Sequence, residues 1–265
     1  MITLDSKRLE EFGYRALLEH YHEAVPKIRR KTMTIPGMTG RWDFGSELDS
    51  KPFEIPIRTL SDSSLSLQRL QNELVAFLMD EFGNPRPLKM IFDYEPDKFY
   101  TVKVDDAIAP TLRSHILRYN TLPFIAHDPY KYANVTSDEV VWGSEIITFE
   151  WNYLLGHEGS AGSVSLNGPQ TIDISVDGLA VQPNFEIEGT ANSLKVECGD
   201  CSFSLPNFSN EKWEIDFKRY AVFRNGQETM IEIRDFYLMP GSNEIKVTGN
   251  NINIDLRIKF RDKYN

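Results

Sequence analysis

The sequence predicts a mostly β protein in two parts: an α+β domain with one main helix over residues 1–133, then an antiparallel β-sandwich or jelly roll over residues 134–265. Three observations point there. Only one stretch carries a long helical stripe: Leu67, Leu70, Leu74, Phe77, Leu78 and Phe82 recur at three- and four-residue steps. Beyond residue 134, short alternating runs recur at roughly ten-residue intervals with Gly and Asn between them, the pattern of a sandwich. The charge also divides unevenly. Residues 1–133 carry 18 basic and 19 acidic groups, whereas residues 134–265 carry 11 and 20.

The elements follow in order. Residues 8–22 admit two readings, a helix on Leu9, Phe12, Ala16 and Leu17 or extended structure from Tyr14 on. Gly13 inside a helix would cost about 1 kcal/mol relative to Ala. Lys27–Ile35 is β-prone and basic. Pro36-Gly37 reads as a type II turn, with Gly where positive φ is needed, and Gly40 and Gly45 keep the following loop loose. Phe53, Ile55 and Ile57 alternate with polar residues. Pro52 and Pro56 make that an edge or irregular strand. The helix spans 64–82, with N-cap candidates in Ser61–Ser64 and a stop at Gly83 and Pro85. Lys89–Tyr94 and Phe99–Val104 make a hairpin around Glu95-Pro96-Asp97. Ile116–Ile125 is a further extended run, and Ala133–Ser144 reads as a linker.

In the second part Ile147, Phe149, Trp151 and Tyr153 alternate, as do Ile172, Ile174 and Val176, and then Trp213, Ile215 and Phe217. Asn225-Gly226 is a strong type I′ hairpin signal. The last strand alternates from Ile252 to Phe260.

With 265 residues the chain can bury a real core without disulfides or metal. No apolar run approaches the ~20 residues of a membrane span, the N-terminus lacks a signal-peptide pattern, and two cysteines suit a reducing cytosol. A net charge of −10 argues against tight nucleic-acid binding, which needs clustered Lys and Arg.

Few residues ask for chemistry. Cys198-Gly-Asp-Cys201 has CxxC spacing, but no second pair of ligands accompanies it, so two free thiols beside a hairpin turn is the reading, ahead of an inter-subunit metal site. His20 and His22 would share a face on a strand; with His115, His127 and His157 scattered, they do not make a metal site. There is no GxSxG, P-loop, Rossmann glycine pattern or HExxH. Trp142, Trp151 and Trp213 could line a sugar platform, although sandwich aromatics are more often core. No cofactor or catalytic residue is expected.

One resemblance spans nearly the whole chain. The succession Ile35-Pro36-Gly37-Met38-Thr39-Gly40, the strand Phe53–Arg58, the single helix, and then Phe124–Tyr132 with Asp128, Pro129 and Tyr130 resembles the N-terminal domain of siphophage distal tail proteins. The stretch Phe236–Ile245, with Pro240, Gly241 and Asn243, is similar to the end of that family's galectin-like sandwich. The resemblance implies a non-enzymatic structural protein of the virion, made in the host bacterial cytoplasm. It would form a hexameric ring at the distal end of the tail, with a channel for DNA. Its partners would be further copies of itself, the tail tube protein, the tail-associated protein and a receptor-binding protein. Arg29, Arg30, Lys31, Pro36, Gly37 and Gly40 are the expected inter-subunit contacts, on a belt-like arm made from Lys27–Ile35, its loop and Phe53–Arg58. The rival readings are a carbohydrate-binding module or lectin, and a jelly-roll glycoside hydrolase or lyase.

Overall fold

The structure is a computed structural model that describes residues 2–112, 114, 116–137, 139 and 163–265. The chain divides into two compact units, Met1–Lys131 and Tyr132–Tyr264.

The first unit opens with β1 (Ile2–Leu4), β2 (Lys7–Arg8), a 3-10 turn at Leu9–Phe12, β3 (Tyr14–Ala16) and β4 (Tyr21–His22). Gly13 closes the 3-10 turn in the left-handed region, φ 74°, so the extended reading from Tyr14 holds. Then come β5 (Ile28–Met33), β6 (Trp42–Leu48), β7 (Lys51–Leu60), α1 (Ser64–Leu78), β8 (Leu88–Phe92), β9 (Glu95–Val104), β10 (Thr111–Leu112) and β11 (Leu117–Ala126). The main antiparallel sheet runs β2-β1-β8-β9-β11-β7-β3, with β4 also on β7 and β10 on β11. Its inner face, including Phe53, Ile55, Ile57, Met90, Val102, Leu122 and Phe124, packs with Leu74 and Leu78 of α1.

Four expectations shift here. Helix α1 is capped by Ser63, whose hydroxyl accepts the Ser66 N–H at 3.2 Å. It ends at Leu78, four residues early, because Met79 turns extended and bridges to Pro85. The β8–β9 turn falls at Asp93-Tyr94, with Glu95 and Pro96 already inside β9. Strand β7 is not an edge. It pairs with β11 over ten residues on one side and with β3 and β4 on the other. The prolines are tolerated because Pro56 turns its carbonyl to the β3–β4 side, where it accepts Leu17 N–H at 2.8 Å. In an antiparallel strand a residue's N–H faces the same side as its carbonyl. The missing donor therefore falls where β3 and β4 leave a gap, and the β11 ladder loses nothing. Finally, the strand returning from β5 is β6, which begins within the segment read as loop, and not Phe53–Arg58.

The second unit contains β12 (Lys131–Ala133), β13 (Ser163–Leu166), β14 (Gln170–Val176), β15 (Asn184–Cys198), β16 (Cys201–Ser204), β17 (Phe208–Asp216), β18 (Ala221–Arg224), β19 (Gln227–Glu228), β20 (Gly241–Lys259) and β21 (Lys263–Tyr264). Strands β15 and β20 are long and antiparallel to each other. The first half of β15 also pairs with β17, and its second half with β16. Both strands bend midway, at the register shifts around Gly189–Asn192. A Cβ on Gly189 would lie 2.3 Å from the Asn253 carbonyl oxygen, so only glycine allows this close crossing. The bend lets the sheet close over a core that includes Phe185, Phe203, Phe217, Phe236 and Trp213. The Asn225-Gly226 turn has φ 51° and 77°, as type I′ requires. The expected run Ile147–Tyr153 and most of the expected linker lie outside the described residues.

Candidate assembly interface

The feature that stands apart is an arm. Among the described residues, strands β5 and β6 pair only with each other, and every residue from Lys27 to Glu47 is exposed. At the root, Asp49 N–H donates to Lys27 O at 2.8 Å. At the tip, Ile35-Pro36-Gly37-Met38 makes a turn with Met38 N–H on Ile35 O at 3.1 Å and Gly37 at φ 84°. Proline at the second position and positive φ at the third define the type II turn. Gly40 also has positive φ, 91°. A bulge sets Phe44 and Gly45 opposite Lys31, between the pairs Arg30↔Ser46 and Thr32↔Asp43.

One face of the arm is ionic. The Arg29 guanidinium contacts both Asp49 carboxylate oxygens at 3.1 Å, and Lys31 pairs with Glu47. The Ser50 N–H and then Arg29 hold Asp49 below its ordinary range, and Lys31 does so for Glu47. Two of the three expected cationic contacts are therefore paired within the arm itself. Arg30 and Arg41 make no ion pair among the described residues.

The sequence reading missed the apolar content of the arm. Trp42 lies opposite Met33 and donates its indole N–H to the Met38 sulfur at 3.0 Å. Ile28, Met33, Met38, Trp42 (51% exposed) and Phe44 (60%) are all open to solvent. A narrow two-stranded ribbon has no second layer to cover such side chains. The signal was Trp-x-Phe between glycines, passed over because Gly40 and Gly45 read as loop.

Beneath the root lies a buried polar group that the sequence reading also missed. Lys51 is 1% exposed and donates to the Tyr100 hydroxyl at 2.8 Å. Burial pushes its pKa down and that of Tyr100 up. His20 and His22 do share a face; their rings stack at 5.4 Å, and His22 stacks on Phe92 and Phe53. Burial, then Lys51, depress His22. Glu95 accepts Lys131 at 2.9 Å and Lys98 at 3.0 Å. The alternation that buries Phe53, Ile55 and Ile57 puts Lys51 on the same face.

The remaining expected residues are structural in their contacts. Tyr130 N–H reaches the Asp128 carboxylate at 3.4 Å, and Pro129 is buried. Asn243 is buried in the turn that holds Pro240 and Gly241. Its amide accepts Met239 N–H at 2.8 Å and donates to Met239 O at 2.7 Å and Gly241 O at 3.0 Å. Cys198 and Cys201 are free thiols paired in register across Gly199-Asp200. Trp213 is 1% exposed and so offers no sugar platform. Trp142, Trp151, His115 and His157 lie outside the described residues.

Comparison with known proteins bears on both units. Residues 7–125 match the family model of the phage tail protein RIFT-related domain. The crystal structure of the Dit protein of phage SPP1, described as a paradigm of the hub adsorption apparatus in phages infecting Gram-positive bacteria, matches along the whole chain. The TM-score is 0.72 at 16% identity, over 100% of this chain and 98% of that one. The activated baseplate of phage P2 matches with calcium at TM-score 0.39 and with strontium at 0.40, both at 12% identity. These cover 93% and 94% of this chain and 90% of that chain in each case, likenesses too loose to carry weight. No curated protein matches by sequence. Residues 7–125 are thus similar to a phage tail domain, and the chain as a whole shares the fold of the SPP1 Dit protein.

Proposed function

We propose that this chain is a siphophage distal tail protein: a structural component, not an enzyme, that assembles into a hexameric ring at the tail tip. The ring joins the tail tube to the tail-associated and receptor-binding proteins and leaves a channel for DNA. The observation that carries the reading is the coincidence of a phage tail domain at residues 7–125 with an end-to-end Dit fold. The arm supplies the means. Its apolar strip gains by burial at ~25 cal/mol per Å², and Arg30 and Arg41 meet acidic surface readily in a chain of charge −10. A head-to-tail contact closes into a ring when the rotation permits. The acidic balance keeps such a channel from gripping DNA.

The test is the mass of the purified protein across a concentration series, with electron microscopy for rings and immunogold labelling of virions. Six-fold rings, or label confined to the tail tip, support the reading. A protein monomeric throughout and missing from tails overturns it.

A further inference from the structure

Phe82 belongs to the helical stripe by spacing, yet it is 86% exposed. The loop that carries it is tightly built. The Asp80 carboxylate accepts Phe82 N–H at 2.9 Å and Asn84 N–H at 2.8 Å, Asp80 N–H donates to Asn84 O at 2.8 Å, and Gly83 N–H donates to Asp80 O at 3.1 Å. These backbone donors hold Asp80 below its ordinary range. The ring is thus held out on a scaffold that has already lost its conformational freedom, and a preorganised aromatic of this kind is an efficient anchor. Beside it Glu81 is exposed and makes no ion pair among the described residues.

Elsewhere in the same unit is a recess of complementary character. Arg15 on β3 and Arg58 on β7 lie directly opposite each other on the solvent face. Like charges so placed repel, and neither arginine has a carboxylate partner among the described residues. With Gly13, Leu60 and Leu117 they line a cavity of about 430 Å³, where Leu60 and the chain neighbour of Leu117, Ile116, are exposed. Gly13 of the recess sits beside Leu70, midway along α1, and Phe82 lies beyond the helix's last residue, Leu78, on the exposed Asp80–Asn84 loop. The acid-flanked knob and the arginine-flanked hole are both open to solvent, so they can meet between copies.

We propose that the Asp80–Asn84 loop of one copy docks Phe82 into the recess between Arg15, Arg58, Leu60 and Leu117 of the next, with Glu81 against the arginines. This is a heterologous contact that repeats around a ring. It rests on the reading of the chain as a self-assembling ring component and adds a second contact to the arm.

The test replaces Phe82 with p-benzoylphenylalanine, which keeps an aromatic ring and inserts into neighbouring C–H bonds under ultraviolet light. The probe copy is mixed with isotopically heavy wild-type protein, and the adducts are mapped by mass spectrometry. A matching probe at the fully exposed Met230 is the control. The expected result is adducts on residues 13–15, 58–60 or 117 of the heavy copy, at least five-fold above the control. R58E should lower their yield at least five-fold, and E81K combined with R58E should restore it. Adducts no more frequent than the control, or concentrated on another surface, overturn the inference. If oligomers form without these adducts, the ring reading stands and this contact falls; if none form and the protein is also missing from tails, both fall.

Discussion

At single residues, the clearest determinants are polar groups that replace backbone pairing. Asn243 satisfies both the N–H and the carbonyl of Met239 while buried against Ile174 and Cys198. Asn243→Ala removes the side-chain partner of the Met239 N–H and of the Met239, Gly241 and Ile174 carbonyls, and chemical denaturation should report a loss of about 2–4 kcal/mol. Asp262 works in the opposite sense. It accepts Asp177 N–H at 3.0 Å, yet burial, with the Asp177 carboxylate adding to it, pushes its pKa up to about 6 from 3.8. The folded state then binds the proton more tightly than the unfolded state. Its contribution is full below pH 3.8, is lost as pH rises to about 6, and stays lost above that. Asp262→Asn keeps the acceptor and removes the charge. At pH 7.5 it should raise stability by on the order of 1 kcal/mol after allowance for solvent screening. The gain should vanish below pH 4. A gain of equal size at both pH values would assign the effect to packing.

At the level of elements, the arm is where local structure and assembly meet. Its fold depends on the type II turn and the bulge, and the assembly role proposed for it rests on Met33, Trp42 and Phe44, which make no core contact among the described residues. Replacing those three by threonine retains β propensity and removes the apolar strip. Far-ultraviolet circular dichroism and thermal stability should change little, within about 1 kcal/mol, while ring assembly and entry into tails are lost. Rings of undiminished yield would free the arm of that role. Helix α1 illustrates the converse. Its N-terminus was legible from the serine cluster. Its C-terminus was not, because the Met79–Pro85 bridge that ends it is a pairing between residues on either side of a loop, invisible to helical spacing.

For the whole molecule, the two units bury separate cores. Leu74 and Phe124 belong to one, Phe236 and Trp213 to the other. Large-to-small changes at such sites cost about 2–5 kcal/mol. Calorimetry should therefore resolve two transitions, with Leu74→Ala lowering one midpoint and Phe236→Ala the other. A single transition moved equally by both would mean that the chain folds as one cooperative body.

The sequence by itself determined what short-range chemistry dictates. Alternation set the inner faces of β7, β14, β17 and β20. Proline before glycine made the arm's turn, asparagine before glycine made the type I′ hairpin, and Ser63 capped helix α1. What it left open depended on partners distant in the chain. Pro52 and Pro56 read as edge signals because a missing N–H matters only on a paired side, and the interrupted β3–β4 partner cannot be seen locally. Lys51 lay outside the strand as read, Phe53–Arg58, and nothing local marks a charged residue for burial; the Tyr100 hydroxyl 49 residues away makes that burial possible. Phe82 was counted as core because spacing assigns a face but not where a helix stops. Tertiary structure decided these points because each rests on which surfaces are covered, and coverage is a property of the packed chain rather than of any window along it.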